Sequence, residues 1–121
     1  MILSTWNVNS IKVRLPAVIQ YLHEQRPDIL VLQETKSLDE NFPTKELLDI
    51  GYYSVYCGQK TYNGVAILSK QKLSDVELNP VTTPEGEMRS IAASHGSLRI
   101  INLYVVNGQN IGTLKFKYKL K

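Results

Sequence analysis

The sequence has one cysteine and two histidines in 121 residues. A lone Cys57 excludes an intrachain disulfide and any cysteine-built metal cluster, and it fits a reducing cytosol. His23 and His95 lie far apart in the chain, without the spacing of a zinc site or the partners of a nucleophile triad. Neither a phosphate-binding P-loop nor a Gly-rich dinucleotide fingerprint is present. Repeats, low-complexity segments and dividing linkers are also missing. No apolar run approaches the ~20 residues that span a bilayer. The first ten residues, "MILSTWNVNS", lack the basic region, apolar core and cleavage site of a secretory signal. These absences predict a soluble, cytoplasmic protein with no membrane partner, of one domain or less. Ordinary Gly and Pro levels and 43% hydrophobic residues exclude a disordered chain.

Charge of one sign is scarce as well. Fourteen basic against eleven acidic residues leave a formal charge of +3, which is compatible with a polyanionic partner and does not require one. The lysines gather at the end, where "KFKYKLK" sets Lys115, Lys117, Lys119 and Lys121 among Phe116, Tyr118 and Leu120. Read as a strand, that alternation would segregate the lysines from the apolar residues. The longer segment "NIGTLKFKYKLK" resembles the start of an amphipathic helix capped by Thr113, and a helix is expected there.

What is present reads first as strand, helix, strand. "ILSTWNV" is β-prone. "RLPAVIQYLHEQRP" places Val18, Ile19 and Leu22 at helical spacing behind Pro16, a residue suited to a first helical turn, and Pro27 closes the helix. "DILVLQ" is an unbroken apolar run, the pattern of a strand buried on both faces. "FPTKELLDIG" predicts a short helix with Thr44 as N-cap and Gly51 as stop. "YYSVYCG", "GVAILSK", "LSDVELN", "RSIAASHG" and "SLRIINLYVV" predict further strands, the last two meeting at a Gly-Ser turn.

Three polar side chains fall at or near strand ends: Asn7, Glu34 and Tyr104. If the first two strands are parallel neighbours joined by the helix, Asn7 and Glu34 emerge at the same sheet edge, where open α/β sheets place ligands. One carboxylate beside one amide oxygen suits a hard cation that keeps several waters, and Mg2+ is the natural candidate. A divalent ion of this kind neutralises phosphate oxygens, so the pair suits phosphoryl chemistry. Each residue also has a plain structural explanation. Glu34 can be a solvated strand end, Asn7 a turn former beside Asn9 and Ser10, Tyr104 a core aromatic, and Arg89 a solvated cation.

Taken in order and spacing, "TWNVNSIKVRL", "DILVLQETK", "YNGVAILSK" and "INLYVVNGQ" resemble the exonuclease III type of apurinic/apyrimidinic endonuclease. The resemblance implies the α/β (α+β) endonuclease/exonuclease/phosphatase fold, a four-layer sandwich with two facing mixed sheets. Of this, the present chain is expected to carry one sheet plus flanking helices. It also implies that Glu34 and Asn7 are metal ligands for Mg2+, with Mn2+ as an alternative, and that Tyr104 is a catalytic residue reaching the scissile phosphate. Lys36, Asn63 and Arg89 would approach the DNA backbone, contacts that position a duplex without reading its bases. The implied activity is DNA repair by phosphodiester hydrolysis at abasic sites and 3′ ends of double-stranded DNA.

The resemblance runs nearly end to end but matches only the first half of the family's domain. Residues 1–121 are therefore expected to be its N-terminal portion, truncated at the C-terminal end. No "GDFN"-like or "SDH"-like segment is present, and these supply the family's water-activating groups. General-base activation contributes ~10²–10⁴-fold, so little or no nuclease activity is expected of the chain alone. Strands such as "DILVL" and "GVAIL" would then leave a sheet face uncovered, inviting self-association. Two alternatives stand beside this reading: a phosphodiesterase of the same fold acting on another substrate, and a non-catalytic half-domain that needs a complementary chain.

Overall fold

The computed structural model describes residues 1–58, 63–78, 90–104 and 112–118. In chain order these form β1 (Leu3–Asn7), α1 (Ile11–Gln25), β2 (Ile29–Gln33), a 3₁₀ turn (Asp39–Asn41), α2 (Thr44–Asp49), β3 (Tyr53–Cys57), β4 (Val65–Ser69), β5 (Ser74–Leu78), β6 (Ser90–His95), β7 (Leu98–Tyr104) and β8 (Gly112–Tyr118). The first sheet has the order β1-β2-β4-β3, with β1 parallel to β2 and the other pairs antiparallel. The second, β5-β6-β7-β8, is antiparallel throughout.

The apolar runs explain the layering. All five residues of β2 and all five of β4 are buried. Leu30, Leu32, Ala66 and Leu68 meet Ile11, Val18 and Leu22 of α1 and Leu47 of α2 on one side. Ile29, Val31, Val65 and Ile67 meet Ile91, Ala93, Leu98 and Ile100 of the second sheet on the other. The described residues therefore stack as helices, sheet and sheet. The expectation of a single sheet is corrected: the face thought to be uncovered, and with it the surface proposed for self-association, is filled by β6 and β7. Local pattern identified these strands but not their partners, because a run of apolar residues does not state which sheet it joins.

Three smaller expectations are also corrected. Residues 112–118 form a strand paired with β7 and not a helix, as the two-residue period of "TLKFKY" would have it. Helix α1 begins five residues before Pro16, at Ile11, where the Ser10 side chain accepts from the Val13 N–H at 3.3 Å. Pro16 thus sits inside the helix. In α2, Thr44 is the first helical residue, and its hydroxyl donates to the Tyr56 hydroxyl at 3.0 Å and caps nothing. Gly51 (φ 92°) does terminate that helix, its N–H donating to the Leu48 carbonyl at 2.9 Å.

The β1–β2 register is held at its start by Asp28. Its carboxylate accepts from the Ile2 N–H at 2.7 Å, and its own N–H donates to the Ile2 carbonyl at 2.9 Å. The bond from Ile2 is the main reason that the Asp28 carboxyl is held below the usual carboxylate range, with Lys70 adding to it. A lowered folded-state pKa stabilises the fold above the ordinary Asp range, and the contribution is lost as pH falls through the lowered value. Asp28→Asn should therefore flatten the acid limb of stability against pH, as read by urea unfolding from pH 7 down to pH 2.

Because β4 is covered on both faces, Ile67→Ala and Leu68→Ala should each cost about 2–5 kcal/mol by the same unfolding measurement. A cheap Ile67→Ala beside a costly Leu68→Ala would mean that the second sheet does not cover that face.

Candidate metal and phosphate site

The parallel pairing of β1 with β2 sets Asn7 opposite Gln33. Side chains alternate along a strand, so Leu3, Thr5 and Asn7 share the face turned toward the second sheet. Leu3 packs into the inter-sheet core, and Thr5 bonds the Gln33 side chain. By the same alternation Glu34 would fall on the opposite, helix-covered face. It does not. Glu34 follows the last residue of β2 in the left-handed conformation, with φ 54°, and its Oε2 accepts from Asn7 Nδ2 at 2.6 Å.

The neighbouring loops share this character. Asn9 (φ 46°), Ser10 (φ 99°), Lys36 (φ 51°) and Asn63 (φ 62°) also have positive φ. Such conformations cost non-glycine residues about 1–3 kcal/mol each and persist where surroundings over-determine them. Here the surroundings are three loops tied by backbone bonds. Ser10 N–H donates to the Glu34 carbonyl at 2.8 Å and Ile11 N–H to Thr35 at 2.9 Å. Thr35 N–H donates to Gly64 at 3.1 Å and Lys36 N–H to Asn63 at 2.9 Å. Gly64 has φ 92°, and a β-carbon on it would lie 2.2 Å from Thr35 Oγ1, so only glycine permits this approach.

A polar chain runs through the corner. Lys36 Nζ donates to Asn9 Oδ1, the Asn9 N–H donates to Asn7 Oδ1 at 3.2 Å, and Asn7 donates on to Glu34. Asn9 entered the sequence reading only as a neighbour of Asn7; its spacing of two from Asn7 in "WNVNS" was the available signal. Asn7 and Asn9 are exposed, and Glu34 and Lys36 are half-buried. Asn63, expected at the DNA backbone, is 4% exposed, and its carbonyl frames the loop of Lys36. Tyr104 ends β7, in register with Gly112 of β8. Arg89 lies outside the described residues.

Residues 4–112 match the model of the endonuclease/exonuclease/phosphatase family. The chain belongs to that family. Exodeoxyribonuclease III of Haemophilus influenzae is 31% identical over 111 residues, covering 88% of this chain and 42% of the relative. A 3′ phosphatase from Neisseria, solved with a product DNA hairpin, is 47% identical with a TM-score of 0.82, over 89% of this chain and 42% of that one. An AP endonuclease from Archaeoglobus fulgidus is 43% identical with a TM-score of 0.81, over 87% and 41%. The chain spans less than half the length of these family members. The expected α/β class is shared with these neighbours, and in this chain it takes the form of two sheets and few helices. Among the described residues no helix is long and apolar enough to cross a membrane.

Gly64→Ala should destabilise the protein by at least about 1–3 kcal/mol, through strain at its positive φ and the contact with Thr35. Urea unfolding reads the loss, and loss of the Lys36 amide's protection from hydrogen exchange would locate it at this corner.

Proposed function

We propose that this chain supplies the metal-binding corner of a DNA repair nuclease of the exonuclease III type, which hydrolyses phosphodiesters at abasic sites and 3′ ends of duplex DNA. The observation that carries the reading is the Asn7–Glu34 pair, brought together at adjacent strand ends in a chain of this family. The donor set fits Mg2+. One carboxylate and one amide oxygen are hard and few, and among the described residues no cluster of three or more His, Cys, Asp or Glu offers a closed cage. Mg2+ keeps several waters and is bound through one or two carboxylates together with substrate phosphate. Mn2+ takes similar oxygen ligands. Glu34 and Asn7 would hold the ion, which when bound supplies neutralisation of developing charge on phosphate oxygens.

The chain's own groups do the positioning. Asn7 Nδ2 fixes one oxygen of Glu34, so the carboxylate is oriented before any ion arrives. Asn9 holds the Lys36 ammonium beside the same corner, where it complements a phosphate backbone. Tyr104 is assigned the hydrogen bond to the scissile phosphate, and Arg89 a further backbone contact. Asn63 is assigned a further contact to the DNA backbone, and its carbonyl frames the Lys36 loop. DNA as the substrate is supported by the Haemophilus and Neisseria relatives. The water-activating groups are not assigned to this chain, whose sequence holds no "GDFN"-like or "SDH"-like segment.

The test is cleavage of a duplex carrying one abasic-site analogue, by this chain mixed with the separately expressed remainder of the Haemophilus enzyme. Mg2+-dependent cutting is expected in the mixture, lowered about 10²-fold or more by Glu34→Ala in this chain, with near-background cutting by the chain alone. Cutting in the mixture that survives both chelator and Glu34→Ala would overturn the assignment.

A further inference from the structure

The space between the sheets carries a buried polar chain that the proposed chemistry leaves unused. Gln33 is 5% exposed and Asn102 is fully buried. Gln33 Nε2 donates to Asn102 Oδ1 and to Thr5 Oγ1, each at 3.0 Å. Asn102 Nδ2 donates to the Leu32 carbonyl at 2.8 Å and the Ala66 carbonyl at 2.9 Å. One side chain of the second sheet thus holds both central strands of the first.

Two apolar side chains of similar volume would join the sheets without demanding direction, whereas a buried amide pair is tolerated only in the arrangement that satisfies it. The place of this pair is telling. Gln33 directly precedes Glu34 and stands in register with Asn7, and Thr5 lies two residues before Asn7 on the same face. The apolar cluster around this pair, Ile29, Val31, Val65 and Ile67 against Ile91, Ala93, Leu98 and Ile100, is non-directional.

We infer that Gln33 and Asn102 are positioning residues for the Asn7–Glu34 corner, setting the height and rotation at which β1 and β2 present those two side chains. The ion-binding part of this inference rests on the proposed function; the geometric part does not. Partners that orient metal ligands from behind typically change metal affinity by 10–100-fold when removed.

The test uses the whole chain, with Asn7 side-chain amide signals followed by NMR and Mn2+ affinity read from paramagnetic broadening. The variants are Gln33→Leu with Asn102→Leu, Thr5→Val, Ile100→Val as a packing control, and Glu34→Ala as a binding control. The double leucine variant replaces both amides together but takes the Asn102 donor from the Leu32 and Ala66 carbonyls, so it should stay folded with a lowered thermal midpoint. Its Asn7 amide signals should move to the position of a free amide, and Mn2+ affinity should fall about tenfold. Ile100→Val should also lower the midpoint, but with unchanged Asn7 signals and affinity. Asn7 signals and affinity unchanged in the double variant, or changed only in step with lost stability, would overturn the inference. If that variant does not fold, Thr5→Val decides, since it removes one hydroxyl from an exposed residue: shifted Asn7 signals support the inference and unshifted ones overturn it. Absence of Mn2+ binding in the parent chain would count against the proposed function alone, and the Asn7 signals would still decide this one.

Discussion

The parallel register between β1 and β2 is the constraint on which the polar corner depends. Opposite residues in a sheet share a face, so pairing Asn7 with Gln33 commits Asn7 to the inter-sheet side. A slip by one residue would turn its amide toward α1, where Trp6 now packs edge-on against Tyr21 with ring centroids 5.9 Å apart. Asp28 and Ile2 hold one end of the pairing, and the Val8 N–H, donating to the Gln33 carbonyl at 3.1 Å, holds the other. Between them the strand ends have little freedom to drift.

Register alone would not make the site, because it leaves Glu34 pointing the wrong way. The left-handed turn at Glu34 reverses one step of the strand's alternation and swings the carboxylate onto Asn7. That conformation is unfavourable for a residue with a β-carbon. It is sustained by the bonds that Ser10 and Ile11 make to the carbonyls of Glu34 and Thr35, and by the close seat of Gly64 against Thr35. The β1–α1 loop, the segment after β2, and Asn63 and Gly64 before β4 are therefore one structural unit. The stability that such strain costs must come from elsewhere, and the two apolar layers around β2 and β4 are where it is available.

The second sheet accordingly does more than cover an apolar face. Ile91, Ala93 and Ile100 remove Ile67 and Val31 from water, and Asn102 adds direction to that contact through its bonds to Leu32 and Ala66. Burial sets the distance between layers, while the amides set their relative position along the strands.

Much of this was legible in the residues themselves. The runs "DILVLQ" and "GVAILSK" stated that β2 and β4 are buried on both faces, since no alternation means no solvent-facing side. The strand–helix–strand order implied parallel β1 and β2, and so Asn7 and Glu34 at the same sheet edge. Four short segments carried the family resemblance. The partition of strands between two sheets was not legible, because a strand's partner is chosen by packing at long range and leaves no local mark. Nor was the end of the chain, where "TLKFKY" is too short to separate helix from strand without β7 beside it. The hidden roles of Asn9, Gln33 and Asn102 were decided by tertiary structure for the same reason. A polar residue's partner is set by what the fold brings within 3 Å of it, and sequence spacing records only what lies nearby along the chain.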